Sequence, residues 1–323
     1  MSPLETIRAA IADDMRAVDE SVRHHLRSDV PLIRQVAEYI IGSGGKRLRP
    51  ALVCLWARAH GYQGRDHWQL AAVVEFIHTA TLLHDDVVDA SKLRRGRATA
   101  NALFGNEASV LVGDFVYSRA FQMMVGVQSM RVLEVLADAT NIIVEGEVLQ
   151  LLNCHNPEID EDRYLHVIRY KTAKLFEAAA RIGAILGGAS AAQEEAAARY
   201  GMHLGTAFQL IDDVLDYSGD LESTGKNLGD DLAEGKPTLP LIHAIARGTP
   251  EQSALIRSAI EGGGFKDFGP VLETIRATGA LEYAREQAQA EAQLALAALT
   301  DLPRSTYKDS LLQLGQFAVT RSF

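Results

Sequence analysis

Two decapeptides of the 323-residue chain crowd carboxylates into apolar surroundings. In TLLHDDVVDA, Thr81–Ala90, Asp85 and Asp86 are adjacent and Asp89 follows; in FQLIDDVLDY, Phe208–Tyr217, Asp212, Asp213 and Asp216 repeat the spacing. On a helix, residues four apart stack on one face, so Asp85 aligns with Asp89 and Asp212 with Asp216, and His78 falls on nearly the same stripe as Asp85. Like charges so placed destabilise a helix by about 0.2–0.5 kcal/mol per pair, and burying them unpaired costs far more. A solvated helix face would avoid the conflict. It would not need Leu82, Leu83, Val87 and Val88 around the first cluster, or Leu210, Ile211, Val214 and Leu215 around the second. A multivalent cation resolves it, because Mg²⁺ takes carboxylate oxygens, keeps several waters and completes its shell with phosphates. Two such rows suit a diphosphate held through bridging magnesium. A calcium loop of the D-x-D-x-D-G kind is absent.

Basic groups lie close to both rows. GSGGKRLRP places Lys46, Arg47 and Arg49 after a glycine-rich turn, and KLRRGRATA places Arg94 and Arg95 just beyond the first row. YKTAK supplies Lys171 and Thr172, and GKNLGDDLAEGKPTLP supplies Lys226 and Lys236 after the second row. Arginine binds phosphate oxygens through a two-pronged fork and lysine through a compact charge, so these groups read as anion clamps. Each alone is an ordinary turn or solvated loop; together with paired DDxxD they are specific.

The elements that must position these groups are helices. RYLHVIRYKTAKLFEAAARIGAIL and EYAREQAQAEAQLALAALTDL carry helix formers at helical period. Alternating, β-branched runs are scarce, so a sheet is not supported. Prolines 31, 50, 157, 237, 250 and 270 mark boundaries, and loop signals fall at 42–45, 61–64, 154–157, 219–235 and 262–264. None of these resembles an interdomain linker, and residues 1–323 read as one all-α domain. The composition, 47% hydrophobic and 23% charged with a net charge of −10, excludes a typical nucleic-acid binder. Two cysteines, Cys54 and Cys154, imply neither a disulfide framework nor a zinc site. The amino-terminal segment lacks a secretory pattern, and no apolar run approaches the ~20 residues of a membrane span. A cytoplasmic protein without a transmembrane segment is expected.

GGKRLRP, HDDVVDASKLRRG, KTAKLF, FQLIDDVLDY and GKNLGDDLAEGKPTLP, in this order from Lys46 to Pro240, resemble the motifs of trans-polyprenyl diphosphate synthases. The likeness is to long-chain members of the octaprenyl type that make quinone side chains. The resemblance implies an isoprenoid-synthase fold, a helical bundle around a central active-site cavity, usually as a homodimer. It implies Asp85 and Asp89 as Mg²⁺ ligands on one side of an allylic diphosphate, such as farnesyl diphosphate. Asp212, supported by Asp213 and Asp216, would be the ligand on the other side, with three ions per site. Asp86 counts among the catalytic aspartates. Arg94, Lys171, Lys226 and Lys236 would neutralise the leaving diphosphate. Lys46, Arg49, His78 and Arg95 would bind isopentenyl diphosphate, and Thr172 and Gln209 would line the cavity beside the developing cation. Arg97 departs from the family pattern, which commonly has lysine there, and the carboxyl terminus QFAVTRSF offers Arg321 as its basic residue.

Short-chain members place bulky aromatics four and five residues before the first aspartate. Here those positions hold Thr81 and Ala80, which implies a product tunnel open beyond the farnesyl length. Alternatives remain at this point: a short- or medium-chain synthase, a terpene cyclase, a non-catalytic prenyltransferase subunit, or an acidic scaffold for divalent ions. The second DDxxD and the GGKRLRP segment weigh against a cyclase, and the intact clusters weigh against a non-catalytic subunit.

Overall fold

The prolines and glycines that punctuate the sequence delimit helices in the computed structural model, which describes residues 3–42, 44–94, 96–218, 228–263 and 268–321. In chain order the helices are α1 (Pro3–Ala10), α2 (Ala12–His25), α3 (Pro31–Gly42), α4 (Leu48–Ala59) and α5 (Asp66–Val88), then α6 (Ala100–Phe104), α7 (Asn106–Gly126) and α8 (Met130–Asn153). After them come α9 (Glu161–Ile168), a π-helical turn (Arg169–Ala173), α10 (Lys174–Leu186), α11 (Ala191–Ser218) and α12 (Asp230–Ala233). The last are α13 (Leu239–Arg247), α14 (Pro250–Gly262), α15 (Phe268–Ala277), α16 (Ala280–Ala297) and α17 (Thr306–Thr320). Pro31 and Pro250 open α3 and α14, where a missing N–H costs nothing. Thr249 adds a capping box with Gln252, and Asp160 caps α9 by accepting the Arg163 amide at 2.9 Å.

Two details differ from the sequence expectation. Leu93–Arg94 and Arg97–Ala98 form a minimal antiparallel ribbon, β1 and β2, with Leu93 opposite Ala98. Gly96, at φ 71°, supplies the left-handed turn that closes it. The stretch 163–186, read as one helix, is interrupted by the π-helical turn, in which the Lys174 amide reaches back to the Arg169 carbonyl. One residue is thereby inserted into the helical repeat.

The contacts define two compact units. The first comprises Met1–Thr140, Leu175–Gly201 and Ala298–Leu314. Its centre is α5, whose residues Leu70, Ala71, Ala72, Val73, Val74, Phe76 and Ile77 are all fully buried, so this helix is apolar on nearly every side. It packs on α2, α4 and α7. The second unit comprises Asn141–Lys174, Met202–Ala297 and Gly315–Phe323. There Leu210, Ile211, Val214 and Tyr217 of α11 join a core with Leu239 and Leu241 of α13, Ile256 and Ile260 of α14, and Val271 and Ile275 of α15. Around the second row Leu210, Ile211 and Val214 anchor α11 in the core of its unit. Around the first row Leu83 is buried, Leu82 and Val87 are half-buried, and Val88, expected inside, is 65% exposed at the helix end. Among the described residues, no helix is long and apolar enough to cross a membrane.

Candidate active site

The first aspartate row sits at the end of α5. Asp85 lies in its last turn and Asp89 is the residue that caps it, with the Asp89 amide donating to the Asp85 carbonyl at 2.8 Å. The four-residue stacking therefore survives the helix end, and both side chains are half-buried. Asp86 differs. It is fully buried, and its Oδ1 accepts two hydrogen bonds from Arg94, at 2.9 Å from Nε and 2.7 Å from Nη2. The Asn101 side chain donates to the Asp86 carbonyl at 3.0 Å, fixing the start of α6 against the end of α5. Within one DDxxD, two carboxylates remain partly accessible and the middle one anchors an arginine. Arg95 lies outside the described residues.

The glycine-rich turn before α4 is left-handed at Gly44, Gly45 and Arg47, with φ 79°, 144° and 53°. A non-glycine residue in this region stores strain of order 1–3 kcal/mol, and an ion pair of Arg47 with Glu75 on α5 at 2.5 Å holds it there. Two residues on, Arg49 stands over the Phe176 ring at 4.2 Å and its Nη1 lies 3.3 Å from His78 Nε2. Two of the residues expected to bind the second diphosphate thus meet in the first unit, and the Lys46 carbonyl, in the same turn, accepts from Arg8 at 3.3 Å. Ala80 is fully buried; Thr81 is half-buried and turns its hydroxyl onto the His78 carbonyl at 2.8 Å.

The second row lies near the end of α11. Asp212 is 41% exposed, and its Oδ1 accepts from Arg321 at 2.6 Å. Arg321 also donates to the Phe208 carbonyl at 2.7 Å and lies 3.8 Å above the Phe208 ring, so the residue after α17 is clamped onto α11. Asp213 is buried. Its two oxygens accept from Tyr164 at 2.5 Å and from Gln209 at 2.8 Å, and Thr172 donates to the Gln209 carbonyl oxygen at 2.9 Å. Burial pushes the Asp213 carboxyl well above its ordinary range, the nearby Asp231 charge adds to this, and the Tyr164 and Gln209 hydrogen bonds oppose it. Asp216 accepts the Asp231 amide at 3.3 Å, and its carbonyl accepts the Gly229 amide at 3.0 Å, tying the segment after α11 back to the helix. Lys226 lies outside the described residues. Lys236 pairs with Glu234, and its amide donates to the Asp231 carbonyl at 2.8 Å.

Lys171 and Thr172 both ride on the π-helical turn. Lys171 pairs with Glu147 of α8 at 2.6 Å. The turn lies against Gly146, where a Cβ would stand 2.5 Å from the Lys171 nitrogen and 2.8 Å from Tyr170 Cβ. Only glycine allows α8 to come this close. Glu75, Gly146, Glu147 and Tyr164 are therefore part of the two sites although no sequence motif marked them. Each acts on a residue distant in the chain, and a π-turn has no signature in apolar periodicity.

Among the described residues no three His, Cys, Asp or Glu side chains converge as a ready-made cage. Asp85, Asp89 and Asp212 offer one or two partly accessible carboxylates per row, and Arg321 already places a cation against Asp212. Such a sparse donor set fits Mg²⁺, which takes few protein ligands and fills its shell with water and substrate phosphate.

This geometry has clear counterparts. The polyprenyl synthetase family model matches residues 30–276. Octaprenyl diphosphate synthase of Escherichia coli strain K12 is 56% identical over 319 residues, covering 98% of this chain and 99% of that protein. A polyprenyl synthase from Caulobacter crescentus, solved with calcium and isoprenyl diphosphate, superimposes with a TM-score of 0.96 at 45% identity, covering 99% of this chain and 98% of that one. A decaprenyl diphosphate synthase from Rhodobacter capsulatus does so with a TM-score of 0.94 at 46% identity, each chain covered to 99%. The helical architecture is accordingly the isoprenoid-synthase fold, and the chain, with both aspartate rows and the basic segments between them, belongs to the polyprenyl synthetase family.

Proposed function

We infer that the protein is a long-chain trans-polyprenyl diphosphate synthase. It adds isopentenyl diphosphate head-to-tail to an allylic primer, farnesyl diphosphate, to give an octaprenyl product for a quinone side chain. The observation that carries this reading is the 56% identity to an octaprenyl diphosphate synthase over essentially both whole chains, in a chain whose two aspartate rows are complete.

In this reading Asp85 and Asp89 at the end of α5 and Asp212 on α11 would hold Mg²⁺, three ions per site, and residues 1–323 act as one functional domain. When bound, the metal neutralises charge on the diphosphate oxygens. Arg94, Lys171, Lys226 and Lys236 do the same from the protein side as the carbon–oxygen bond breaks and its electron pair leaves with the diphosphate. Lys46, Arg49, Arg95 and His78 hold isopentenyl diphosphate so that its double bond attacks the allylic cation. The released diphosphate then takes the proton lost from the new chain. Thr172 and Gln209 stabilise the cation with neutral oxygens, which cannot capture it as a carboxylate would. Lys171 is paired with Glu147 and Arg94 with Asp86, so each cation is already oriented when substrate arrives.

The enzyme works as a homodimer in the cytoplasm. The dimer is supported by an apolar stripe on α8: Val144, Val148, Leu151 and Leu152 recur at helical spacing and are all more than half exposed.

The test is consumption of labelled isopentenyl diphosphate with farnesyl diphosphate and Mg²⁺, with and without a chelator. Metal-dependent incorporation is expected. Cyclisation of the primer without incorporation would replace this reading with the cyclase.

A further inference from the structure

We propose that Tyr164 is a positioning residue that sets the polarity of the Thr172 and Gln209 oxygens, acting through Asp213. The proposal rests on the synthase reading above and deepens it, because it says how the cation-facing oxygens are made free of protons.

The four side chains form one directed chain of hydrogen bonds within the second unit. Tyr164 donates to Asp213 Oδ2 at 2.5 Å, Gln209 Nε2 donates to Asp213 Oδ1 at 2.8 Å, and Thr172 Oγ1 donates to Gln209 Oε1 at 2.9 Å. Asp213 and Tyr164 are 3% and 5% exposed. Burial works against ionisation of Asp213, and the two donated hydrogen bonds favour it; accepting both, the carboxylate is the sink of the chain, and water does not compete for it. With Asp213 accepting on both oxygens, the Gln209 amide has one orientation: nitrogen toward Asp213 and oxygen toward Thr172. The Thr172 proton is then committed to Gln209, leaving only lone pairs on Oγ1. Chained hydrogen bonds also polarise one another. Two electron-rich oxygens without an available proton suit a developing allylic cation, while the full negative charge stays two residues removed and cannot trap it.

Local structure supports the assignment. Gln209 and Asp213 are one turn apart on α11, whereas Tyr164 and Thr172 sit on either side of the start of the π-helical turn. The turn lets two residues eight apart in sequence grip neighbouring side chains on the same helix. Each of Asp213's oxygens accepts a hydrogen bond and the group is 3% exposed against 41% for Asp212, so Asp213 supports the row by positioning.

The experiment is a double-mutant cycle of Tyr164→Phe and Thr172→Val, measured as kcat and as KM for both substrates. Tyr164→Phe keeps the ring and its packing and removes only the donor. It is expected to lower kcat about 10-fold or more, below the ~10²–10³ for deleting a donor that itself touches the charge, with both KM values within about two-fold. In the Thr172→Val background the same change is expected to cost clearly less than in the wild type, because only the Gln209 oxygen is left for it to orient. Asp213→Asn is the near-isosteric second probe. It turns the Gln209 amide around, so kcat falls while the Mg²⁺ concentration for half-maximal activity stays unchanged. Tyr164→Phe with wild-type kcat, a full penalty in the Thr172→Val background, or a weakened Mg²⁺ dependence in Asp213→Asn would each overturn the proposal. A wild-type enzyme that incorporates no isopentenyl diphosphate would instead overturn the synthase reading.

Discussion

Within the DDVVD segment the structure assigns different jobs to neighbouring carboxylates, and stability separates them from activity. Asp86 is fully buried against Arg94, whose side chain is 25% exposed. Removing one member of a buried pair costs about 3–5 kcal/mol because the other is left uncompensated. Arg94→Ala leaves the carboxylate uncompensated at 0% exposure and should pay this in full. Asp86→Ala leaves the guanidinium, which can turn toward water, so about 2–3 kcal/mol is expected. At roughly 2 °C per kcal/mol for a chain of this size, Asp86→Ala should lower Tm by about 4–6 °C and Arg94→Ala by more. Asp85→Ala removes a half-buried carboxylate and relieves its repulsion with Asp89. Its stability should stay within about 1 kcal/mol of wild type, although metal-dependent turnover is lost. Thermal unfolding followed by circular dichroism, beside the incorporation assay, reads both effects. The reasoning is refuted if Asp85→Ala melts as low as Asp86→Ala, or if Arg94→Ala is the milder of the Asp86–Arg94 pair.

Three further outcomes are expected. Gly146→Ala places a Cβ 2.5 Å from the Lys171 nitrogen, which should cost about 1–3 kcal/mol and lower kcat by displacing the π-helical turn; an active, equally stable variant would contradict the close approach. Ala80→Phe should shorten the product, seen by chromatography of the dephosphorylated chains, and an unchanged product distribution would remove Ala80 from the tunnel. Burial would raise the Asp14 carboxyl, but hydrogen bonds from His67, Arg58 and Trp68 outweigh it and hold the group far below the ordinary carboxylate range. A depressed folded-state pKa stabilises the protein above the unfolded value of ~3.9, and that contribution is lost as pH falls from about 5. Denaturant titrations should therefore show wild type losing more stability than Asp14→Asn between pH 5 and the acid limit. Equal losses would contradict the assignment.

The aspartate rows were legible because DDxxD needs only helical periodicity to be understood, and α5 and α11 supply it. The apolar neighbours that made the carboxylates conspicuous bury α11 in its core, whereas α5 is buried by Leu83 and by its earlier apolar residues between 70 and 77, with Val88 left exposed. The distinction within each row was not legible. Asp86 and Asp213 have the same composition around them as Asp85 and Asp212, and only a partner from elsewhere in the chain separates them: Arg94 eight residues on, Tyr164 forty-nine residues back. The break at 169–173 was hidden for a related reason. RYLHVIRYKTAKLF has good helix formers throughout, and the close approach that the turn makes is to Gly146 on another helix. Arg321 stood out only as a basic residue near the end, and its pairing with Asp212 depends on where α17 docks.

The most direct measurement is the length of the chains made from farnesyl diphosphate, isopentenyl diphosphate and Mg²⁺, resolved by chromatography after removal of the diphosphate. The account predicts a distribution peaking at octaprenyl that disappears on chelation and returns with Mg²⁺. Chains that stop one addition beyond farnesyl, or elongation that persists without divalent metal, would contradict it.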